Sequence, residues 1–580
     1  MLTGLQIGNF KAFSVVQRIP IRPLTLIFGP NSSGKSSIIH GLILARHAAE
    51  TGELDAYLTH VGGASVDLGG FGQYIHRRDS TRRMEWCGEF HSARFDGRLA
   101  ELFASTTKIE VSAQIGLPQV ERMRIKVGFD SRTEQTIFVK TPTGELIRSG
   151  APEVQVFEIR ADSASILQMS KRRDGKFQID RLNYEHPVFR EVLRAIVITS
   201  TTAETIQPSD YEGLDEAINQ LIPDFTVEMG NFLPAKLLLA GAPVALEANS
   251  LIAVGRGTRK ENLTSAVRLY FPRILDEMIQ GVSRAVSNEL ARLQYLGPLR
   301  SYPPRHLAFA QQHDSNWNAG GGFAWDIVRK DETVRRLVNE WLSSREKLQT
   351  PYELTVREFV GVDDLEPTLF EQLKRLQGAE LLAEDGTDAL DRGEPQPEGI
   401  LDASIDVEQE ARTFQNAIKA ADVEKLDELV LIDQRTNTVV SHRDVGIGIS
   451  QVLPVLVAAY GSSGKILAME QPEIHLHPAL QAELGDVFIT SAFGPRQNTL
   501  ILETHSEHLI LRIMRRMRET ANGELPKEFP SVRPEDVSIL YVEPRGSTSI
   551  VRVLELDSQG DLLDPWPGGF FEEGFRERFS

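Results

Sequence analysis

One short stretch near the amino terminus limits the folds open to this 580-residue chain more than any other. The apolar run Leu24–Phe28 predicts a buried parallel strand, and a helical pattern follows over residues 37–49. Between them lies the sequence GPNSSGKS, residues 29–36, which fits the pattern GxxxxGK[ST] without a mismatch. A strand, a glycine loop and a helix in this order predict a loop that binds phosphate groups.

The residues of this loop have distinct parts in holding a nucleotide. Gly29 and Gly34 adopt backbone angles that other residues resist, so the loop can turn its N–H groups inward. The start of the helix adds a partial positive charge. Lys35 is expected to reach the β- and γ-phosphates of ATP, and the Ser36 hydroxyl to bind Mg²⁺. The predicted ATP-binding residues here are Gly29, Pro30, Asn31, Ser32, Ser33, Gly34, Lys35, Ser36 and Ser37.

Composition narrows the class of protein further. The formal net charge of −18 argues against a general polyanion binder, so any contact with DNA would need a local basic patch. The single cysteine, Cys87, excludes an intrachain disulfide framework and is typical of a reducing compartment. The amino terminus lacks the apolar segment of a signal peptide, and no apolar run is long enough to span a bilayer. We therefore expect a cytoplasmic protein without a membrane partner.

Changes in residue pattern along the chain predict a nucleotide-binding domain split by a long insertion. Residues 1–85 are expected to form its amino-terminal lobe, and residues 429–580 its carboxy-terminal lobe. Residues 86–428 are expected to form an inserted α+β region, with strands over 86–200 and helices over 261–380. An acidic loop is expected over 383–400.

The carboxy-terminal lobe supplies further pieces of a nucleotide site. Gly446 to Gln451 open a helix and offer a second anion-binding end, with Gly448, Ser450 and Gln451 as the candidate contacts. An apolar strand ends in Glu470, which is expected to hold Mg²⁺ directly or through water. A later strand is expected to end in His505, which would hydrogen-bond the γ-phosphate.

These pieces, in this order, resemble the ABC-type ATPases of the SMC, RecF and OLD (overcoming lysogenization defect) group. The matching motifs are the phosphate loop, a signature helix at 446–451, the Walker B acid Glu470, a D-loop at Leu476-His477-Pro478 and a switch histidine, His505. The ending, WPGGFFEE at 566–573, is similar to the tail of bacterial OLD-like AAA proteins with an uncharacterised carboxy-terminal module. The resemblance implies an α/β P-loop head with mixed sheets, interrupted by long α+β insertions.

The resemblance also implies a mode of action. Heads of this group dimerise around ATP, the signature of one protomer closing the site of the other, and they act in DNA repair or phage defence. This chain is thus expected to form a homodimer or higher oligomer, to act on a separate effector protein and to have DNA as a possible partner. The rival expectations are the ATPase subunit of a transporter and an OLD-type nuclease, for which Glu543 and Asp557 are the nearby candidate acids.

One position departs from the pattern of the group. The acid that normally follows the Walker B acid is replaced here by Gln471. Glutamine can orient a water molecule but cannot accept its proton. Either Glu473 substitutes as the base or hydrolysis is slow, so the predicted catalytic residues are Gln471, Glu473 and His505. His475 and His477 also permit a metal site, although this spacing without cysteines is more typical of structural histidines.

Overall fold

The computed structural model describes residues 1–95, 97–118, 137–140, 146–149, 151–201, 208–230, 232–239, 259–300, 316–345, 347–360, 369, 411–414, 416, 425–440 and 447–567. The chain divides into two compact units. The first contains Met1–Tyr302, His313–Ala324 and Gly446–Ser580, and the second contains Pro303–Gln312 and Trp325–Val445. Among the described helices, none combines the length and the apolar character that a membrane span requires.

Strands and helices are numbered here in chain order over the described residues. The strands are β1 (Leu2–Gly8), β2 (Gln17–Pro20), β3 (Leu24–Phe28), β4 (Leu58–Thr59), β5 (Gly63–Asp67), β6 (Met84–His91), β7 (Lys108–Gly116), β8 (Ile137–Lys140), β9 (Leu146–Ser149), β10 (Glu153–Ala161), β11 (Ala164–Lys171), β12 (Phe177–Leu182), β13 (Phe225–Met229), β14 (Pro234–Leu239), β15 (Leu293–Leu296), β16 (Tyr352–Val360), β17 (Lys425–Asp433), β18 (Thr438–Val440), β19 (Ile466–Glu470), β20 (Thr499–Glu503), β21 (Val537–Arg545) and β22 (Thr548–Leu554). The helices are α1 (Lys35–Thr51), α2 (Phe71–Tyr74), α3 (Gly97–Leu102), α4 (Pro187–Thr201), α5 (Pro208–Leu221), α6 (Arg259–Leu290), α7 (Phe323–Lys330), α8 (Glu332–Ser343), α9 (Ile447–Gly461), α10 (Pro478–Phe493) and α11 (Glu507–Asn522).

A six-stranded sheet in the first unit carries the phosphate loop. Its strand order is β15-β19-β20-β3-β21-β22, and all neighbours are parallel except the edge pair β21 and β22. Strands β3, β19 and β20 are buried at every position, as expected of parallel strands covered on both faces. Because parallel strands end at one edge, residues far apart in the sequence meet there.

A second sheet of nine strands is antiparallel throughout. Its order is β14-β13-β12-β11-β10-β7-β6-β1-β2, so β6, β7 and β10 to β14 extend a sheet that starts with the first residues of the chain, while β8 and β9 pair with each other separately. One hydrophobic cluster joins this sheet to the other through α1 and α6, with Ile39, Val282, Ile27, Ile466 and Leu540 among its members. The two sheets of the first unit therefore share a core.

The second unit contains a smaller antiparallel sheet, β16-β17-β18, next to α8. Helix α8 buries Val334, Val338 and Trp341, which repeat at helical spacing. The Asn339 amide donates to the carbonyl oxygen of Leu354 at 2.9 Å and accepts from its N–H at 2.8 Å, which ties the helix to β16.

The predicted α/β P-loop fold with mixed sheets is confirmed. Within the region 261–380, where helices are expected, the first is the long helix α6, which contains Pro272. Residues 201–260, for which no elements are predicted from the sequence, contain α5, β13 and β14. The domain boundaries stay a prediction: residue 85 lies inside β6, an interior strand of the nine-stranded sheet. Gly446, the acidic loop at 383–400 and the tail from residue 568 lie outside the described residues.

Candidate nucleotide site

The phosphate loop lies at the carboxyl end of β3, as the sequence predicts. Gly29 has φ 151°, Ser32 has φ 60° and Gly34 has φ 93°. A Cβ on Gly29 would lie 2.5 Å from the carbonyl oxygen of Val542, and one on Gly34 would lie 2.3 Å from Cβ of Ala12. Glycine is therefore required at both positions by close contacts as well as by backbone conformation.

Lys35 is almost entirely buried inside the loop, with 4 % of its surface exposed. Its Nζ donates to the carbonyl oxygens of Gly29 at 3.2 Å and Pro30 at 3.0 Å, and lies 3.9 Å from Oε1 of Glu503. Burial lowers the pKa of Lys35, although nearby Glu503, Glu470 and Glu473 act to raise it. The ammonium group thus donates hydrogen bonds to carbonyl oxygens of the loop. The charged oxygens of a triphosphate would be stronger acceptors.

Ser36, at the start of α1, donates its hydroxyl hydrogen to Oε2 of Glu503 at 2.7 Å. Glu503 ends β20 and lies opposite Glu470, which ends β19. Burial and the neighbouring Glu470 raise the pKa of Glu503 to about 7. Hydroxyl and carboxylate oxygens are the protein ligands that Mg²⁺ accepts alongside phosphate oxygens, so these residues suit that ion. Within the described residues, no group of three or more His, Cys, Asp and Glu side chains is placed to hold a metal by itself.

Glu470 makes a different set of contacts from those that the motif suggests. Its Oε1 accepts from the Tyr295 hydroxyl at 3.0 Å and lies 3.5 Å from Nε2 of His40. The Lys11 ammonium in turn contacts Nδ1 of His40 at 2.6 Å. Burial lowers the pKa of Lys11 to about 8 and also lowers the pKa of His40. These contacts form a network that runs from Lys11 through His40 to Glu470 at the end of β19.

The segment after β19 joins the site to the end of β20. Gln471, with φ 45°, donates its backbone N–H to the carbonyl oxygen of Glu503 at 2.7 Å. Glu473 is buried, and its Oε1 accepts from the backbone N–H of His505 at 2.7 Å. This contact gives Glu473 a structural role in placing His505. Burial raises the pKa of Glu473.

His505 lies two residues beyond the end of β20, so the strand ends at Glu503 and not at the histidine. Burial and the nearby Lys35 lower the pKa of His505, which favours a neutral imidazole at neutral pH. His477, at the predicted D-loop, caps α10 by accepting from the N–H of Ala479. That cap gives His477 a structural role.

The signature helix is more deeply buried than its predicted role requires. Helix α9 is apolar on all sides, and Ser450 has only 2 % of its surface exposed. The Gln451 amide exchanges hydrogen bonds with the backbone N–H and carbonyl of Arg300. In this conformation Ser450 and Gln451 therefore do not reach the surface, whereas Gly448 is partly exposed.

Arg300 holds this region together from the inside. Its guanidinium is buried and donates to the carbonyl oxygens of Gln451, Glu470 and Gln471, each at 3.1 Å. Burial lowers the pKa of Arg300 to about 10, so it stays charged at neutral pH. The residue connects the start of α9 with the end of β19.

Sequence reasoning missed Glu503, Tyr295 and His40 as parts of the site. The signal for Glu503 was present, because an apolar strand of five residues ends in a buried carboxylate. Its importance depends on strand order, which places β20 directly beside β3. The nuclease candidates have local contacts instead: Glu543 pairs with Arg545, and Asp557 accepts from the N–H groups of Gln559 and Asp561.

Two family models match parts of the chain. Residues 310–512 match one described as "AAA domain, putative AbiEii toxin, Type IV TA system". Residues 532–577 match one described as a protein of unknown function, DUF3696. A comparison with curated proteins gave no match.

Solved structures of SMC heads align over most of the chain at low identity. One is the SMC head bound to the C-winged helix domain of ScpA, 9 % identical, covering 96 % of this chain and 98 % of that one with a TM-score of 0.33. A head from Pyrococcus furiosus is 11 % identical, covers 96 % of each chain and has a TM-score of 0.32. A head from Thermotoga maritima is 8 % identical, covers 96 % and 99 %, and has a TM-score of 0.31.

The phosphate loop on a parallel sheet and the match to an AAA domain define a P-loop ATPase. Residues 310–512 thus resemble an AAA domain, and the resemblance inferred from the motifs is confirmed at the level of a P-loop ATPase fold. The segment matched to the second family is part of the same domain. It supplies β21, which pairs with β3, and Trp566, whose ring lies 5.6 Å from that of Phe28.

Proposed function

We propose that this chain is an ATP-driven switch that hydrolyses ATP, acts as a homodimer or higher oligomer, and controls a separate effector protein. The observation that supports it most is the arrangement at the end of β3, β19 and β20. There Lys35 and Ser36 lie beside two carboxylates, and His505 lies next to Lys35. Such a site binds a triphosphate through the loop and Lys35, and Mg²⁺ would offset charge on the phosphates there.

The roles of the remaining residues follow from their contacts. His505 would donate a hydrogen bond to the γ-phosphate, and Glu473 keeps it in place through its backbone N–H. Gln471 would orient the attacking water without accepting its proton. Turnover would therefore be slow, and the bound nucleotide would act mainly as a clamp between protomers.

Dimer formation is the part of the proposal that converts binding into a signal. The phosphate loop is one anion-binding helix start, and the beginning of α9 offers a second one with Gly448 partly exposed. Two copies related by a twofold axis would each close the other's nucleotide with that end. The change of interface on ATP binding is the physical basis of a switch.

The biological setting is anti-phage defence or DNA repair. The matched family description names a toxin of a type IV toxin–antitoxin system, which favours defence over repair. Contact with DNA is a possible part of either role, and the net charge of −18 would confine it to a local basic patch.

The experiment is a measurement of mass in solution by light scattering, with and without a non-hydrolysable ATP analogue and Mg²⁺. The analogue should double the mass of the wild type and leave Lys35→Ala unchanged. ATP binding with no change in mass would contradict the switch but not the ATPase. A wild type that hydrolyses no ATP would contradict the proposed reaction.

A mixing experiment tests whether two chains share each site. Ser450 is unsuited to a blocking substitution because it is buried, whereas Gly448→Glu places a negative charge at the partly exposed helix start. Mixed Lys35→Ala and Gly448→Glu chains would form heterodimers with one intact composite site. Partial recovery of ATPase activity supports sharing. No recovery, with heterodimers demonstrated, means that each site is complete within its own chain.

A further inference from the structure

Ser36 contacts a carboxylate that does not occupy the Walker B position. Ser36 carries the hydroxyl that P-loop proteins offer to Mg²⁺, and here it donates to Glu503 at 2.7 Å. Glu470, which occupies the Walker B position, instead accepts from Tyr295 and lies next to His40. The carboxylate that touches the phosphate loop is therefore Glu503.

The order of strands explains this arrangement. Strand β20 is the direct neighbour of β3, whereas β19 lies one strand further away, and neighbouring strands are about 4.8 Å apart. Glu503 pairs with Ile27 of β3 on one side and with Glu470 of β19 on the other. It thus stands between the phosphate loop and the Walker B acid.

The local charges show what such a residue does. Of the two carboxylates, Glu503 has the Lys35 ammonium at 3.9 Å, whereas Lys11 acts on Glu470 from beside His40. A triphosphate entering without a cation would add negative charge beside both acids, which is unfavourable. A divalent cation that entered with the nucleotide would relieve that repulsion and would take the place of the Ser36 hydroxyl hydrogen as the partner of Glu503.

We propose that Glu503 is a ligand of the Mg²⁺ that accompanies the nucleotide, directly or through a water, and that it makes nucleotide binding depend on magnesium more strongly than Glu470 does. This inference rests on the proposed ATPase function and assigns one residue of its site. In the structure, Oε2 of Glu503 accepts from the Ser36 hydroxyl.

The test compares ATP affinity in Mg²⁺ with ATP affinity in EDTA, by calorimetry, for three variants. Glu503→Gln keeps an acceptor for Ser36 but loses the charge, so the ratio of the two affinities should fall by about tenfold or more. Glu470→Gln should give a smaller fall. Glu528→Gln removes an exposed charge far along the chain and should leave the ratio at the wild-type value.

A second readout counts bound Mn²⁺ by electron paramagnetic resonance in the presence of a non-hydrolysable ATP analogue. Wild type and Glu528→Gln should each hold one Mn²⁺ per chain, and Glu503→Gln should hold it more weakly than Glu470→Gln does. Glu503→Asp keeps the charge but withdraws it by one methylene, so it should also weaken Mn²⁺ binding. Glu503→Asp replaces Glu503→Gln in this test if the glutamine variant does not fold.

The outcomes separate this inference from the function on which it rests. If Glu503→Gln keeps the wild-type magnesium ratio and Mn²⁺ affinity while Glu470→Gln loses both, the assignment of Glu503 is wrong. If the wild type binds no nucleotide, or Lys35→Ala binds it equally well, the ATPase proposal itself is wrong. Both proposals are supported if the wild type binds ATP and Lys35→Ala does not, and if Glu503→Gln loses more of the magnesium dependence than Glu470→Gln does.

Discussion

Two pairs of buried glutamates lie opposite each other in neighbouring strands, one pair in each large sheet. In the nine-stranded sheet Glu89 of β6 faces Glu110 of β7, and in the six-stranded sheet Glu470 of β19 faces Glu503 of β20. Like charges directly opposite in a sheet are unfavourable. The two sheets differ in how the repulsion between the paired glutamates is offset. This difference distinguishes a structural cluster of charges from a binding site.

The chain neutralises the first pair with its own cations. Arg18 makes two hydrogen bonds to Glu89, and Lys108 lies 3.0 Å from Glu89 and 2.6 Å from Glu110. Burial by itself would raise the pKa of Glu89, but hydrogen bonds from Arg18, Gln6 and Lys108 lower it to about 2. These acids are satisfied without a ligand.

The cations around the second pair are less close, and Lys11 reaches Glu470 only through His40. Glu503 has Lys35 at 3.9 Å, and its pKa is raised to about 7 because it is buried beside Glu470. A buried acid that the fold does not neutralise is typical of a functional site. In this pair, the additional positive charge would come from a cation bound together with the nucleotide.

The largest expected effect contrasts the two lysines. Lys35→Ala should weaken ATP binding roughly 100-fold, because it removes charged hydrogen bonds to the phosphates. Lys108→Ala should leave ATP affinity unchanged and lower the unfolding temperature, because Glu89 and Glu110 then lack a shared partner. Calorimetric titration of both variants measures the ATP affinity, and thermal unfolding measures the unfolding temperature. Equal ATP affinity in wild type and Lys35→Ala would remove the distinction between the two clusters.

The next effect concerns the free energy of unfolding. Glu89→Ala should destabilise the protein by about 2 kcal/mol, because Arg18 and Lys108 lose their buried acceptor while remaining partly exposed themselves. Urea unfolding of the nucleotide-free chain gives the value. A variant as stable as the wild type would show that the cluster is not structural.

The parts of this picture that were predictable from sequence are local ones. The segment from Leu24 to Ser37 is contiguous, so its strand, loop and helix were recognised together, and the match of pattern to structure is close. Glu503 was missed because its role depends on which strand neighbours β3, and that strand lies several hundred residues away in the sequence. The burial of Ser450 was missed for a different reason. Its helix is apolar on all sides, which is typical of a buried helix, but the prediction from sequence was based only on the anion-binding start of that helix.

The base of the reaction gives the third prediction. Gln471→Glu adds a proton acceptor beside Glu470 and should raise ATP turnover about tenfold. Glu473→Gln should lower turnover if Glu473 acts as the base, and should leave turnover near the wild-type value if it only positions His505. Steady-state rates at saturating ATP decide between the two. Unchanged rates in both variants would place the base elsewhere.

The fourth prediction uses the pKa of Glu89, which lies at about 2 in the folded protein against an ordinary value of 4.5. Because the folded value is the lower one, Glu89 stabilises the fold above about pH 4.5, and that contribution is lost as the pH falls towards 2. The gap in unfolding free energy between wild type and Glu89→Gln should therefore shrink across this range. A gap that stays constant from pH 6 to pH 3 would contradict the assigned pKa.

The smallest expected effect is on the free energy of unfolding, which should change in opposite directions when one glutamate of each pair is replaced by glutamine. At pH 8, above the pKa of about 7, Glu503 is charged and faces Glu470 across the strands. Without Mg²⁺ and nucleotide, Glu503→Gln removes this repulsion and keeps an acceptor for Ser36, so it should stabilise the chain by up to about 1 kcal/mol. The matched change in the first pair, Glu110→Gln, should destabilise it, because Lys108 and Arg160 lose a charged partner. Urea unfolding at pH 8 compares the two. Destabilisation of similar size in both variants would mean that the fold satisfies Glu503 as fully as Glu110, and that its place beside the phosphate loop is structural.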